Sequence, residues 1–298
     1  MERISKTYMT EPGESSAVSR RSFFATLGAA AWAAPVIALA KTGSVEVGVC
    51  AKTAELENAI HYGFDYLEPS VAEIAEMNEA QFADFKARLL ASPIRCECYN
   101  TFFHKQRVVG DDVNRAALKE YMEIALNRCQ RLGGSVAVWG SSGSRNVAEG
   151  YSRDRAWTQI QEFLRLAGDV ARSSGIVIAI EPLRKQESNI INTGAEALRL
   201  VREVQHPNVK MIIDFYHLRV ENEDPQIVWE ARDEIVHFHF ANPQGRRWPR
   251  DPGEDPMYGR FFELVKKIQF RGGISIEGRG TFQDDAAASV EFFRRELA

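Results

Sequence analysis

From Ser44 onward, short apolar runs alternate with longer amphipathic stretches eight times over, and no other feature limits the fold as tightly. The predicted strands are Val45–Cys50, Tyr66–Glu68, Ile94–Tyr99, Val136–Trp139, Ile176–Ile180, Val209–Ile213, Ile235–Phe240 and Ile274–Ile276. Several are continuous Val/Ile segments, which suits parallel strands covered on both faces. The stretches between them carry helix ends. Ser152 is placed to cap a helix bearing Trp157, Ile160, Phe163, Leu164, Ala167 and Val170, with Gly175 stopping it. Asp112 is expected to open the helix carrying Leu118, Tyr121, Met122, Ile124 and Ala125, which ends near Gly133, and Asp284 or Asp285 to open the last one. Eight β/α units with no Pro/Ser/Gly-rich linker predict one α/β domain, a (β/α)8 TIM barrel. A doubly wound open sheet is the alternative, but the first βα turn lacks a G-x-G-x-x-G phosphate loop.

The N-terminus departs from this pattern. Ser19-Arg20-Arg21-Ser22-Phe23-Phe24 precedes an uncharged, Ala-rich stretch from Ala25 to Ala40 that ends Ala38-Leu39-Ala40. Paired arginines, a modest apolar core and a small-x-small end predict a twin-arginine export signal over residues 1–40, cleaved near Ala40. A membrane anchor is the alternative, but the run is shorter than the ~20 residues a span needs. The chain is therefore expected in the periplasm, delivered by the twin-arginine export machinery. The total of 298 residues would allow two domains, but the 258 that follow residue 40 match one barrel, assigned to 41–298. Those 258 hold 33 basic and 38 acidic residues, a net of -5. That balance gives no basic footprint for nucleic acid. Export draws attention to the four cysteines. Cys96 and Cys98 are expected to share a strand face too far apart for an easy bridge, and all four read as buried unpaired thiols.

Barrel enzymes place their chemistry at the C-terminal ends of strands. Those positions hold Glu181, Asp214, His239 and Glu277, at intervals of 33, 25 and 38 residues. Each interval is one β/α step, so four successive strands can aim four metal-capable side chains at one point. Three carboxylates and one imidazole favour a divalent ion in oxygen-rich coordination: Mn²⁺ first, with Mg²⁺, Co²⁺ or Zn²⁺ as alternatives. The competing reading has each acid paired with an Arg or capping the next helix. Glu187, His217, His237, Arg246 and Arg247 cluster around the four, and the loop Gly140–Gly150 would lie over the same mouth as a polar lid or a long connection.

With Gly63-Phe64-Asp65-Tyr66-Leu67-Glu68, Trp139-Gly140-Ser141, Arg145-Asn146-Val147, Ile180-Glu181-Pro182-Leu183, Asp214-Phe215-Tyr216-His217, His237-Phe238-His239 and Ile276-Glu277, the chain resembles the sugar phosphate isomerase/epimerase family of xylose isomerase-like TIM barrels. The ketose 3-epimerases are the nearest pattern. The resemblance implies a metal held by Glu181, Asp214, His239 and Glu277, with Glu181 and Glu277 also the catalytic acid–base pair. It further implies substrate contacts from Glu187, His217 and Arg246. The segment after His239, Phe240-Ala241-Asn242-Pro243-Gln244-Gly245-Arg246-Arg247, departs from the ketose epimerases in lacking their customary acid.

These residues suit a sugar isomerase or epimerase that removes a proton next to a carbonyl through a metal-stabilised enediolate. If that intermediate expels a β-oxygen substituent, the same site is a lyase or dehydratase acting on a keto sugar or glycoside. A non-catalytic exported sugar-binding barrel is the rival from outside enzymology, and it would need no convergent metal ligands. AP endonucleases share the barrel but hold three zinc ions with many more histidines than the six here. The expected partner is a small sugar or keto-sugar; a homo-oligomer is left open.

Overall fold

The computed structural model describes residues 45–298; the export signal read over residues 1–40 lies outside the described residues. The strands are β1 Glu46–Cys50, β2 Tyr66–Glu68, β3 Cys98–Tyr99, β4 Val136–Trp139, β5 Val177–Ile180, β6 Val209–Asp214, β7 Ile235–Phe240 and β8 Gly273–Ile276. All pair in parallel in the order β2-β1-β8-β7-β6-β5-β4-β3, so the first strand closes on the last. Between β2 and β3 only isolated bridges, Tyr66 to Arg95 and Ser70 to Asn100, complete the wall. The protein is thus a nearly closed eight-stranded α/β barrel, as the alternation predicts.

Side-chain alternation builds two cores. Residues facing outward, such as Trp139, Phe238 and Phe240, pack under the helices. There Phe215 stacks on Phe240 at 4.5 Å, and Phe261, Phe262, Phe292 and Phe293 close around them. A second, smaller cluster of Cys98, Val136, Val138, Ala179 and Ile212 fills one side of the interior. The other side is polar: Tyr66, Glu68, His237, His239 and Ser275, all buried. A register shift at Met211/Ile212 sets Ile212 beside His237 and Asp214 beside His239. That bulge brings the acid and the imidazole into one layer at the barrel mouth.

Several local expectations need correction. The third strand keeps only Cys98–Tyr99, because the backbone from Ile94 to Glu97 touches β2 at the single Arg95 bridge. This irregular stretch breaks the alternation, so Cys96 joins the outer core and Cys98 the inner one. All four cysteines are free; three are buried and Cys50 is half-buried. Ser152 caps Arg153–Ser173 as expected, and Gly175 follows with φ +66°. Asn114, not Asp112, caps Arg115–Arg131: Asp112 lies in the turn two residues too early, and Asn114 accepts the Ala117 N–H. Thr281, not Asp284 or Asp285, caps Phe282–Leu297, with Asp284 in its first turn. Ile124 is half exposed and no part of the buried stripe of its helix. The described residues form eleven α-helical segments, not eight, since short ones such as Ser142–Arg145 and Phe215–Val220 are built into the loops.

Candidate active site

Four side chains meet where β5 to β8 end. The Glu181 N–H donates to the Trp139 carbonyl of β4 and the Glu277 N–H to the Phe240 carbonyl of β7, so the sheet itself aims both residues. Glu181, Asp214, His239 and Glu277 each offer one ligand-capable atom within 4.8 Å of the other three. His239 Nδ1 stands 2.9 Å from Glu181 Oε1 and 3.4 Å from Glu277 Oε2. The four residues singled out at strand ends therefore do converge on one point.

The crowding has electrostatic consequences. Burial, reinforced by the Glu277 charge, raises Glu181 above the usual carboxylate range. Burial lifts Asp214 to about 7 against the pull of Arg246. Burial opposes charge on Glu277 as well, but His239 and Arg246 outweigh it and bring Glu277 down to about 2. Asp214 Oδ1 accepts the Tyr216 N–H at 2.7 Å, capping the helix Phe215–Val220. Its Oδ2 is buried with no hydrogen-bond partner among the described residues. A buried carboxylate oxygen left without a donor is costly, and a cation at the centre of these donors removes the cost. Three hard oxygens and one imidazole fit a divalent ion, with Glu181, Asp214, His239 and Glu277 as its holders.

The three residues expected to touch substrate surround this cluster. Gly245 and Arg246 take left-handed φ values of +82° and +53°, a turn unusual for Arg. That turn sends the Arg246 guanidinium back across the mouth. It pairs with Glu277 at 2.7 Å and Glu187 at 3.4 Å and lies over the Tyr216 ring at 4.9 Å. Glu187 also accepts from Arg184 Nε at 2.6 Å. The Arg184 backbone N–H donates to His217 Nδ1 at 3.1 Å. Nδ1 is thereby the acceptor, which leaves Nε2 as the protonated nitrogen. Nε2 is buried, 3.5 Å from Asp214 Oδ2, with no hydrogen-bond partner among the described residues. Burial and the nearby Arg246 charge hold His217 down to about 3, so it stays neutral with its N–H aimed into the site.

Two chambers open on Glu187 and Arg246, with His217 buried behind them. One of about 340 Å³ is walled by Gly140–Ser144, Phe103, Glu181 and Leu183; another of about 550 Å³ is walled by Arg184, Tyr216, Pro243 and Arg279. Glu187, Arg246 and Glu277 border both. The Gly140–Gly150 loop therefore lies at the mouth, but not all of it faces substrate. Arg145 is fully buried and donates to the carbonyls of Trp139 (3.1 Å) and Glu181 (2.6 Å), locking the ends of β4 and β5. Asn146 is tied to the neighbouring loop, accepting the Asn189 N–H at 3.2 Å.

Glu68 was not singled out from the sequence, although it ends β2 just as the others end their strands. It is fully buried. Its Oε1 lies 2.8 Å from His239 Nε2, and its Oε2 lies 2.9 Å from His237 Nε2 and accepts from Ser275 Oγ. Burial disfavours its charge, but the two imidazoles outweigh that and hold it well below the usual range.

Known proteins share both sequence and architecture with this chain. It is 28% identical over 190 residues to 3-dehydro-D-guloside 4-epimerase of Escherichia coli (strain K12), spanning 60% of this chain and 71% of that protein. It is 26% identical over 233 residues to D-psicose 3-epimerase of Agrobacterium fabrum, spanning 74% of this chain and 77% of that protein. The crystal structure of 3-keto-D-glucoside 4-epimerase from E. coli superposes with a TM-score of 0.72 at 22% identity, covering 85% of this chain and 98% of that one. The model of the xylose isomerase-like TIM barrel family matches residues 56–296. With that match running through the barrel just described, the chain belongs to the xylose isomerase-like TIM barrel family.

Proposed function

We propose that this protein is a divalent-metal-dependent sugar epimerase that removes and returns a proton next to a carbonyl. The observation that carries the reading is the convergence of Glu181, Asp214, His239 and Glu277 within 4.8 Å at the mouth of the barrel. The relatives support it: they are epimerases of ketoses and of keto-glycosides, substrates that present a C–H beside a carbonyl. A keto-sugar is the substrate class we assign.

When bound, the ion supplies Lewis-acid polarisation of the carbonyl and offsets the negative charge that develops on its oxygen. The remaining work falls to the side chains. Glu181 follows β5 and Glu277 follows β8, so their carboxylates approach the chambers from different strands. One takes the proton from carbon and the other returns one on the opposite face, which inverts the centre. Glu181 Oε2 lies against Gly140 on the chamber wall, while Glu277 Oε2 is held by Arg246 at 2.7 Å. His217 donates its Nε2–H to a substrate oxygen. Arg246 and Glu187 fix hydroxyls and separate the two chambers.

The test is a panel of free and 3-keto sugars incubated in D₂O with Mn²⁺. Mn²⁺-dependent deuterium uptake at one carbon, together with an epimeric product, is the expected result. An eliminated alkene in its place turns the reading to a lyase. If neither a bound nor an activating divalent ion is found in purified protein, the proposal fails.

Export through the twin-arginine route is proposed alongside, from Arg20-Arg21 and the Ala-rich run after them. Changing both residues in an Arg20→Lys, Arg21→Lys variant is expected to strand the full-length chain in the cytoplasm, read by cell fractionation. Continued delivery to the periplasm rejects the route.

A further inference from the structure

The centre of a TIM barrel is usually a layered apolar packing of branched side chains. Here the layer beneath the site holds a carboxylate set between two imidazoles. Glu68 Oε1 faces His239 Nε2 at 2.8 Å, and Glu68 Oε2 faces His237 Nε2 at 2.9 Å and the Ser275 hydroxyl. Ser275 Oγ is in turn 2.7 Å from the Tyr66 hydroxyl. All five side chains are buried. So much polar surface is retained at this depth only when each member is satisfied by the others. None of the five lines either chamber.

The arrangement divides the nitrogens of His239 between two tasks. An ionised carboxylate is an acceptor only, so the nitrogen beside Glu68 must carry the proton. That nitrogen is Nε2. With Nε2 committed to Glu68, only Nδ1 is left to serve as a ligand once an ion displaces any proton there, and Nδ1 is the atom that faces Glu181 and Glu277. A ligating imidazole whose other nitrogen donates to a carboxylate is oriented and made more basic by it.

We infer that Glu68 is a positioning residue for the metal site: from inside the barrel it fixes the tautomer and rotation of His239, so that Nδ1 is the ligand atom, and it thereby sets the affinity for a divalent cation. The inference rests on the metal-site reading above. His237 and Ser275 engage the other carboxylate oxygen and keep Glu68 from rotating. The glutamate of β2 thus belongs to the site although a whole side chain separates it from the cluster.

Glu68→Gln tests this directly. The amide fits the same space, but its NH₂ can donate to His239 Nε2, which would drive the ring proton to Nδ1 and block ligation. Mn²⁺ affinity, measured by calorimetry or by the electron paramagnetic resonance signal of free Mn²⁺, is expected to fall about 10–100-fold. Deuterium exchange should be partly restored at saturating Mn²⁺. His237→Gln leaves the Glu68–His239 contact in place and should bind Mn²⁺ much as the unaltered protein does. A purely structural role predicts the reverse pattern: both variants lose thermal stability and neither loses affinity. Should Glu68→Gln fail to fold, ¹⁵N-histidine spectra of the unaltered protein with diamagnetic Mg²⁺ decide the matter. A proton on His239 Nε2 with Nδ1 shifted by the ion supports the inference; the opposite tautomer overturns it. If the unaltered protein binds no divalent ion, the proposed function falls; if it binds and Glu68→Gln binds equally well, only the role of Glu68 falls.

Discussion

Glu277→Gln is expected to leave a folded barrel that no longer exchanges substrate protons with solvent. The replacement keeps the volume and leaves an oxygen to accept from Arg246 Nη2, which stands 2.7 Å from Glu277 Oε2. What is lost is a negative oxygen able to take a proton, and general acid–base catalysis by a placed side chain is worth about 10²–10⁴-fold. Deuterium incorporation from D₂O should fall by that order, measured on recovered keto-sugar with Mn²⁺ in excess so that weaker metal binding does not confuse the reading. Exchange at the unaltered rate would remove Glu277 from the proton-transferring pair.

Gly140→Ala should damage the same chemistry from the other side. A Cβ on Gly140 would lie 1.7 Å from Glu181 Oε2 and 2.9 Å from Glu181 Cδ, so the carboxylate must leave its place. It has little room to do so. Arg145 grips the Glu181 carbonyl at 2.6 Å, and His239 holds the other carboxylate oxygen at 2.9 Å. Misplacing a reacting group by about 1 Å can cost about 100-fold in rate, while local overpacking costs about 1–3 kcal/mol of stability. Turnover should therefore fall far more than the melting temperature suggests. Gly259→Ala, inside the helix Tyr258–Lys267 where an added Cβ meets nothing within 4 Å, serves as the control: turnover should stay unchanged and the melting temperature should hold or rise slightly. A Gly140→Ala variant that retains full turnover would mean that Glu181 does not work from the position described.

The parts of this molecule legible in the sequence were those with a short period or a fixed address. Strand count and order followed from alternating apolar runs, and Glu181, Asp214, His239 and Glu277 stood out because a charge directly after a buried strand needs a reason. Glu68 meets the same criterion at the end of Tyr66-Leu67-Glu68, but it reads only as the last residue of a three-residue strand. Its meaning depends on two histidines about 170 positions away, a relation no local window contains. The β6 bulge that sets Asp214 beside His239 leaves no mark on the hydrophobic pattern either. Helix caps failed in a similar way: at Asn114 and Thr281 the competing aspartates lie two to four residues off, and only backbone geometry selects between them.

The free cysteines have a consequence for the order of events in the cell. Cys96, Cys98 and Cys129 are enclosed in packed cores, and burial pushes their thiols up, away from the reactive thiolate. No disulfide joins any part of the described chain. The barrel therefore needs no oxidant to reach its final form and draws no stability from one. Its described residues can mature in a reducing compartment and keep the same architecture and free thiols in an oxidising one, which is compatible with the export route proposed above.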